Sequence, residues 1–577
     1  MKQLAFIGLA IPALALGQAT TGRSSVEIDP SDLPLPAKER VAPDHESWWQ
    51  NAVFYEVFVR SFADSTRGPL AGDGVGDLRG LIERLDYLND GDPTTDDDLG
   101  VTALWLMPIC ESPSYHGYDT DDYYSVDQEY GTNDEFKLLV SEAEKRGIRI
   151  IVDLVLNHIS RDHPWFTKAK AGEAPYEDLF IFADEFPGYR GPWGQQVWHP
   201  VPDQPGRFYY GVFSSHMPDL DYRNEQVTER MFDAVRFWLE DMGAAGFRLD
   251  AIRHLIERGS QQDNTPETHR WLERFHEFYK SIDPEALTVG EVWADTEVVS
   301  RFTGGQMDLA FEFDTGYAIT ETINSGHKSA LTRQLALVDE QFPLGMYATF
   351  LRNHDQPRTR NELGGDLRKA KLAAAIQFAL PGVPFIYYGE EIGMLGTKPD
   401  ELIRTPMQWE DSPKLGFTTG EPWAEPNGGV ASSNVADQTR DRASLLSTYR
   451  RLIRARADHE VLRSGELRII ETPSPDVLAF ERRLDDKVAI AVFNLSDRVG
   501  PTRMIWRGEP PLAPGSTAVL DLVSDEMLRI DTRPVPSTPP GSVAALSVPL
   551  APYQARVLVT DLRAASPGAE GPQPRSR

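Results

Sequence analysis

The sequence predicts an α/β protein built on a (β/α)8 TIM barrel, with a subdomain inserted after strand 3 and an antiparallel β-domain near the C-terminus. Three observations support this fold class. Eight short apolar, β-rich runs alternate with amphipathic helices, which implies parallel strands buried on both faces. One interval between a strand and its helix is far longer than the others, and near the C-terminus short strands replace the alternation. On pattern alone, an open doubly wound sheet is the alternative.

The predicted barrel strands are rich in β-branched and aromatic residues. They are Val53–Val59, Val101–Pro108, Ile148–Leu156, Gly246–Asp250, Leu287–Val292, Met307–Phe313, Tyr347–Arg352 and Val383–Tyr388. The helices between them show helical periodicity, since Asp134–Arg146 places Phe136, Leu139, Val140 and Ala143 on one side. Similar helices are predicted at Met231–Asp241 and Leu367–Phe378.

The long interval covers residues 159–220 and is rich in Pro, Gly, Trp and Tyr. A connection of this length is usually functional or a small domain, so we predict an inserted subdomain over the mouth of the barrel. The barrel itself is then expected to comprise residues 47–158 and 221–460. Residues 461–562 contain short strands separated by turns and are predicted to form the C-terminal β-domain.

The N-terminus is typical of a secretory signal peptide over residues 1–17. Lys2 supplies the positive start, and Leu4–Leu16 supplies an apolar run. A membrane anchor is the alternative, but the run is short for a bilayer span and contains Pro12. We therefore expect a secreted protein. Residues 18–46 are predicted to form a linker and residues 563–577 a disordered tail.

The composition restricts the partners. Asp and Glu number 88 against 58 Lys and Arg, which gives a formal net charge of −30. Such a surface repels nucleic acid and anionic membrane, so we expect no nucleic-acid partner and no stable membrane association. The single cysteine, Cys110, excludes an internal disulfide and zinc sites of the multi-cysteine type. The oligomeric state has no signature in the sequence.

Polar side chains follow several predicted strands at the end where barrel enzymes carry their reactive groups. They are Asp153 and His158 at the third strand, Arg248 and Asp250 at the fourth, Glu291 at the fifth, and His354 and Asp355 at the seventh. A single acid at such a position is more often a helix cap or a solvated loop residue. Their convergence from separate strands on one open depression at the C-terminal end of the barrel, called the bowl below, instead indicates an active site.

Two carboxyl groups in opposite protonation states are what the cleavage of a glycosidic bond requires. Asp250 lies two residues after Arg248 and shares its strand face, so the positive charge would keep Asp250 ionised and able to attack a sugar. Glu291 is followed by Val292 and Trp293, apolar surroundings that suit an acid with a raised pKa. The residues alone leave open which of the two plays which role.

This set resembles the alpha-amylase family, glycoside hydrolase family 13, over roughly residues 47–561. The family's known sequence regions appear in order at Asp153–His158, Gly246–His254, Val289–Trp293 and Phe350–Asp355, with a further one at Met217–Asp221. The resemblance implies a retaining mechanism on α-glucosidic bonds. It implies that Asp250 is the nucleophile, Glu291 the general acid/base and Asp355 the third acid, which stabilises the transition state. It also implies substrate-binding roles for Tyr118, Asp119, His158, Arg248 and His354.

A calcium site is predicted in the loop after the first strand. In Asp73-Gly-Val75-Gly-Asp77, alternate acids with glycines between them let carboxylates and a backbone carbonyl converge on a hard cation. The stretch resembles the calcium loop of oligo-1,6-glucosidases and intermediate amylases, which implies Ca2+ held by Asp64, Asp73, the Val75 carbonyl and Asp77. Residues 65–72 lengthen the loop relative to the family pattern. A solvated acidic turn is the alternative.

The signals for the substrate are mixed. Arg404–Trp409 resembles oligo-1,6-glucosidases and trehalose synthases, whereas Met217–Asp221 and Val289–Trp293 look more like neopullulanases and amylases. The mixture resembles the intermediate amylase subgroup, which is often secreted. We therefore predict a secreted hydrolase of α-1,4-glucosidic bonds in starch or malto-oligosaccharides, with some transglycosylation. The alternative is an exo-acting α-glucosidase or oligo-1,6-glucosidase, or a sucrose- or trehalose-converting enzyme. A non-catalytic carbohydrate-binding homologue would usually lack one of the three acids.

Overall fold

The fold is known from a computed structural model, in which residues 47–507, 512, 515–533 and 542–559 are described. The predicted signal peptide, linker and tail, at residues 1–17, 18–46 and 563–577, lie outside these residues. Among the described residues, no helix combines the length and the apolar character needed to cross a membrane. Secretion stays a prediction.

Eight parallel strands form a closed barrel. They are β1 (Phe54–Val57), β2 (Ala103–Leu106), β3 (Arg149–Leu154), β4 (Gly246–Leu249), β5 (Leu287–Gly290), β6 (Leu309–Ala310), β7 (Ala348–Thr349) and β8 (Val383–Tyr387). The hydrogen-bonded order is β6-β5-β4-β3-β2-β1-β8-β7. Phe311, next to β6, forms a parallel bridge to Ala348 of β7, which closes the ring. The barrel prediction is therefore confirmed, and the open-sheet alternative is wrong because no barrel strand is left at an edge.

The barrel interior is filled by large side chains that several strands contribute. Phe54 and Phe385 stack with ring centroids 4.3 Å apart, and Phe311 meets Phe385 edge-on at 4.9 Å. Each fully buried side chain of this size stabilises the fold by about 1.5–3 kcal/mol. Because these large core side chains give an apolar, strand-like sequence pattern, the strands predicted around β6 and β7 are longer than the observed ones. Of the predicted strand Met307–Phe313, only Leu309–Ala310 forms a regular strand, followed by the single bridge of Phe311, because Phe313 already begins a helix.

Helices connect the strands, and local signals fix their ends. The helix Asn133–Glu144 begins after Thr132, whose hydroxyl accepts from the Glu135 amide, and it buries Phe136, Leu139 and Ala143. The main helices in chain order are Leu78–Glu83, Leu85–Leu88, Asn133–Glu144, Glu225–Arg236, Pro266–Ile282, Thr296–Val299, Phe313–Ser325, Ser329–Gln341, Leu367–Ala379 and Leu445–Asp458. Further short helices, of four or five residues each, lie at Val59–Phe62, Thr359–Glu362, Asp400–Ile403, Val435–Thr439 and Glu460–Ser464. The predicted helix Met231–Asp241 in fact begins at Glu225, and its last turn widens into a π-helix.

The segment inserted after β3 has its own small core. It contains the helix Pro164–Lys170 and a three-stranded antiparallel sheet of Phe182–Ala183, Trp198–Pro200 and Phe208–Tyr210. Val197, Trp198, Tyr210 and Val212 are buried together. The two ends of the segment are held side by side, since the Leu220 amide donates to the Asn157 carbonyl at 3.0 Å.

The described chain forms two compact units. The first contains residues 47–317, Leu335–Gly365 and Gly382–Arg450, and it includes the barrel and the insertion. The second contains Ala318–Gln334, Asp366–Pro381 and residues 451–559. Its strands form one antiparallel sheet, as predicted, and are Glu466–Ile469, Val477–Leu484, Lys487–Asn494, Gly500–Arg507, Gly515–Asp521, Glu526–Arg533, Ser542–Leu550 and Ala555–Val559.

Candidate active site

Three acids from neighbouring strands meet on one arginine. Arg248, in β4, lies beside Asp153 of β3 in register, and its Nη1 is 2.9 Å from Asp153 Oδ1 and 2.8 Å from Asp250 Oδ1. Its Nη2 is 2.8 Å from Oε2 of Glu291, which follows β5. The guanidinium thus binds the predicted nucleophile Asp250, the predicted acid/base Glu291 and the buried Asp153 at once. Alternation along β4 explains this, because positions 248 and 250 share one face.

Exposure separates the acids that can touch a substrate from those that cannot. The side chains of Asp250 and Glu291 are each 11% exposed, and that of Asp355 is 19% exposed. Asp153 and Arg248 are at 0% and 1%. The three acids predicted as catalytic therefore open into the bowl, whereas Asp153 lies behind them as a partner of Arg248.

Glu291 has the surroundings of a proton donor. Burial raises its pKa, Arg248 opposes this, and the Asp250 and Asp355 carboxylates raise it again, with a net result of about 7. The Ala251 amide donates to Glu291 Oε2 at 3.0 Å. Ala251 adopts a left-handed backbone with φ 49°, an unusual conformation for a residue with a side chain, which turns the chain sharply after Asp250.

Asp355 has the opposite character. Burial alone would raise the pKa of its carboxyl group, but His354 and Arg404 hold it far below its usual range. His354 Nε2 is 3.1 Å from one carboxylate oxygen and Arg404 Nη2 is 2.9 Å from the other. Asp355 is therefore an anion fixed in orientation at the rim of the bowl.

Tyr118 and His354 lie together beside this anion. Their rings stack with centroids 5.5 Å apart, and the Tyr118 hydroxyl is 2.7 Å from His354 Nε2. The same hydroxyl donates to Asp153 Oδ2 at 3.1 Å. The tyrosine thus connects Asp153 to the ion pair of His354 and Asp355.

Asp119 and His158 occupy the next positions along the wall. His158 Nε2 is 3.1 Å from the Tyr118 carbonyl. Asp119 Oδ1 accepts from the Ser112 hydroxyl at 2.9 Å and also from Ser114. Burial lowers the pKa of His158, with the Asp250 and Asp119 charges opposing it, so this ring is neutral near pH 7. Both side chains are buried, and both already have protein partners.

Comparison with known proteins identifies the family. The family model for the alpha amylase catalytic domain matches residues 56–465. This chain belongs to the alpha-amylase family. It is 39% identical to alpha-amylase 3 of Dictyoglomus thermophilum over 78% of its own length and 86% of that protein. It is 36% identical to the trehalose synthase/amylase TreS of Mycolicibacterium smegmatis over 77% and 82%.

The fold agrees with solved structures as well. The crystal structure of the alpha-amylase from H. orenii superposes with a TM-score of 0.74 at 37% identity, covering 88% of this chain and 99% of that one. Membership of the alpha-amylase family makes this protein a glycoside hydrolase.

The loop predicted to bind calcium is closed by its own hydrogen bonds. Asp64 accepts from the Gly72 and Gly74 amides, at 2.9 Å each, and Asp77 accepts from Ser65 Oγ at 2.8 Å. These oxygen donors suit a hard cation in kind, but a cation would have to share them with the donors already bound. Among the described residues, no group of three or more His, Cys, Asp or Glu side chains is arranged to hold a metal. Calcium binding through Asp64, Asp73, Val75 and Asp77 stays a prediction.

The roles of three residues of the site were not predicted from the sequence. Asp153 was visible at a strand end but had no assigned role, and Arg404 stood out only as part of a motif. Glu56, in β1, lies 2.5 Å from His354 Nδ1. An acid inside the apolar run Val53–Val59 is the one signal in the sequence that could have drawn attention to it.

Proposed function

We propose that this glycoside hydrolase cleaves α-1,4-glucosidic bonds of starch or malto-oligosaccharides by double displacement with retention of configuration. One observation carries the proposal, namely the shared contact of Arg248 with Asp250 and Glu291. It places a carboxylate and a carboxyl group with a pKa of about 7 on one guanidinium, at the open end of the barrel.

In the first step, Glu291 gives its proton to the oxygen of the glycosidic bond while an Asp250 oxygen attacks the anomeric carbon. The bond to the leaving sugar breaks with its electron pair on that oxygen, and a covalent glycosyl ester forms on Asp250. In the second step, Glu291, now a carboxylate, takes a proton from water. The water oxygen attacks the same carbon and releases Asp250. A sugar hydroxyl in place of water gives transglycosylation.

The other wall residues have roles that follow from their contacts. Asp355, an anion held by His354 and Arg404, is placed to accept hydrogen bonds from sugar hydroxyls and to stabilise positive charge at the anomeric centre. Tyr118 presents an aromatic face beside it, and His158 lies next to Tyr118. Asp119 binds a hydroxyl of the terminal sugar, with its carboxylate oriented by the serine hydroxyls that donate to it.

An aromatic surface on the inserted segment favours an oligosaccharide over a disaccharide. Trp193 is 42% exposed, and its ring lies 5.7 Å from Phe213 and 5.5 Å from His254. Phe213 in turn lies 5.1 Å from His158. The faces of glucosyl rings pack well on exposed aromatic rings. This chain of rings thus leads from the bowl outward along the path of a longer substrate.

The second candidate is an exo-acting α-glucosidase or oligo-1,6-glucosidase, or a sucrose- or trehalose-converting enzyme. The observation in its favour is the position of Arg404, which begins the motif Arg404–Trp409 and binds Asp355 directly. The name of the relative TreS, a trehalose synthase/amylase, is compatible with either candidate.

The deciding experiment follows the products in time. Purified protein is given maltoheptaose, starch, maltose, isomaltose, trehalose and sucrose, and products are identified by chromatography and NMR. The proposal expects fastest turnover of starch or maltoheptaose, with the newly formed reducing end released first as the α-anomer. Initial release of the β-anomer would overturn the retaining mechanism. Preference for a disaccharide would favour the second candidate.

Two further parts of the proposal concern secretion and calcium binding. Secretion rests on Lys2 and the apolar run Leu4–Leu16, and N-terminal sequencing of the mature protein tests it. Calcium binding rests on the oxygen donors of Asp64, Asp73 and Asp77, and no catalytic step depends on it.

A further inference from the structure

We propose that Glu56 is a positioning residue that keeps His354 doubly protonated, so that His354 can hold Asp355 for the sugar. The inference rests on the proposed role of Asp355. Glu56 lies in β1, and His354 follows β7, so the pair reaches across β8, which lies between these two strands. Glu56 is 2% exposed and His354 is at 0%.

The geometry around the imidazole requires a proton on each ring nitrogen. Nδ1 is 2.5 Å from Glu56 Oε1, and Nε2 is 3.1 Å from Asp355 Oδ2. An ionised carboxylate only accepts hydrogen bonds. A neutral imidazole has one N–H, and its bare nitrogen would face one of the two carboxylates. Two carboxylates on opposite nitrogens are therefore satisfied together only by the imidazolium.

The Tyr118 hydroxyl completes this pattern. It donates its single hydrogen to Asp153 Oδ2 at 3.1 Å, so it accepts from His354 Nε2 at 2.7 Å. The second ring nitrogen therefore donates to Tyr118 and to Asp355. With a doubly protonated His354, every hydrogen bond from Glu56 through His354 to Asp355 and Asp153 therefore has one donor and one acceptor.

The charges around His354 agree with this pattern. The titratable and charged groups near it are Glu56, Tyr118, Asp153, Arg248, Asp355, Tyr387 and Arg404. Burial lowers the pKa of His354, but Asp355 and Glu56 raise it to a net value of about 9. Without Glu56, the imidazolium would keep one anionic partner and the nearby Arg404, and its proton would be lost more easily.

The variant Glu56→Gln tests the proposal because it removes the charge and keeps the shape. We expect the ratio of kcat/KM between this variant and the wild type to stay near one at pH 5, where His354 is protonated in both. The ratio should fall about tenfold by pH 8, where the variant's histidine is neutral, because loss of the charge should lower the pKa of His354 by about two units from its value of about 9. A constant ratio from pH 5 to 8 overturns the proposal, because a merely structural role would lower activity equally at each pH.

Two control variants separate charge from structure. Glu56→Asp keeps the carboxylate and should keep the ratio independent of pH. Glu391→Gln removes another fully buried carboxylate, one that accepts from Tyr55, the neighbour of Glu56, at 2.9 Å. Its ratio should also be flat with pH, since Glu391 does not contact His354.

A direct readout keeps the inference independent of activity. Histidine labelled with 13C at Cε1 gives one NMR signal per ring, and His354→Asn assigns the signal of His354. In the wild type, this ring should still be protonated at pH 8, and in Glu56→Gln it should be neutral there. A neutral His354 at pH 8 in the wild type overturns the proposal even where Glu56→Gln fails to fold. Absence of starch and maltoheptaose hydrolysis by the wild type would contradict the proposed function, while this titration would still decide the role of Glu56.

Discussion

Arg248 contacts Asp250 and Glu291 at the same time, with Nη1 2.8 Å from Asp250 Oδ1 and Nη2 2.8 Å from Glu291 Oε2. Before the first chemical step, Asp250 carries the negative charge and Glu291 carries a proton. After it, Asp250 is a neutral ester and Glu291 is a carboxylate. Besides the constant contact with Asp153, the guanidinium therefore faces one negative charge from this pair throughout, and that charge moves from one of its nitrogens to the other. Little reorganisation of the surroundings is needed.

Replacing Arg248 by lysine tests this relationship. An ammonium group is a point charge that cannot present two nitrogens in a fixed plane, so one of the two acids loses its partner. Losing one partner of a buried charge pair costs about 3 kcal/mol or more, which corresponds to roughly a hundredfold loss of kcat/KM. Steady-state kinetics on maltoheptaose measure it.

The matched control is Arg146→Lys. Arg146 also joins two acids, Asp86 at 2.7 Å and Glu142 at 3.2 Å, but at the surface. This variant should retain wild-type kinetics. Comparable kinetics for Arg248→Lys and the wild type would contradict the bridging role.

The variant Glu291→Gln should lose the acid step and the base step. General acid–base catalysis contributes about 10²–10⁴-fold, so turnover of maltoheptaose should fall by that factor. An aryl α-glucoside with an acidic phenol needs no proton on its leaving group. For this substrate the first step should survive, and a burst of phenol should precede slow turnover, as stopped-flow absorbance would record.

Glu297→Gln is the control for this prediction. Glu297 is an exposed residue of the helix Thr296–Val299, six positions further along the chain, and its loss should leave the rate unchanged. If Glu291→Gln hydrolysed maltoheptaose at the wild-type rate, Glu291 would not be the acid.

Activity should decline on the alkaline side with a midpoint near the pKa of Glu291, about 7. The sign follows from the raised pKa, because Glu291 must hold its proton in the free enzyme and loses it as the pH rises. Above the midpoint, kcat/KM should fall about tenfold per pH unit. A pH profile of kcat/KM on maltoheptaose measures it. Full activity retained to pH 9 would contradict a titrating Glu291.

The sequence predicted those parts of the fold and site that follow from short-range pattern. Strand and helix alternation gives the barrel, and the spacing of Arg248 and Asp250 gives their shared face. Long-range partners were not predictable in this way. Glu56 and His354 are 298 positions apart, and their pairing requires closure of the barrel. The strand around Phe311 and Phe313 was predicted too long, because large core side chains give the same apolar pattern in a helix start as in a strand.

Calcium binding to the loop of Asp64 and Asp77 predicts a change in thermal stability. A ligand at one hundred times its Kd adds about 2.7 kcal/mol to the free energy of unfolding, so the Tm should rise by several degrees after calcium is returned to EDTA-treated protein. Asp73→Asn should abolish the rise, because it removes one anionic ligand. Differential scanning calorimetry and metal analysis by mass spectrometry provide the readouts.

Asp92→Asn is the control for the calcium experiment. Asp92 is another exposed acid that accepts from the amide two residues on, at 2.9 Å, as Asp73 does. The calcium response should survive in this variant. Purified protein that holds no calcium and shows the same Tm with and without it would mean that the loop is a solvated acidic turn.

Trp193 should matter for long substrates and not for short ones. Its loop is anchored to the segment after β4 by Gln262. The side-chain amide of Gln262 donates to the Arg190 carbonyl at 2.8 Å, and the backbone carbonyl of Gln262 lies 2.9 Å from His254 Nδ1. The exposed ring is thus held in place before a sugar arrives, which lowers the entropy cost of stacking. If stacking contributes about 1 kcal/mol, Trp193→Ala should raise KM for maltoheptaose roughly fivefold and leave the hydrolysis of an aryl α-glucoside unchanged.

The control variant Phe186→Ala removes an even more exposed ring, 55% against 42%, from the same inserted segment. That ring packs against Phe208, which is not one of the rings that lead to His158, so its loss should leave both substrates unaffected. Equal losses on both substrates, or equal effects of the two variants, would show that Trp193 supports the fold of the segment and does not bind sugar.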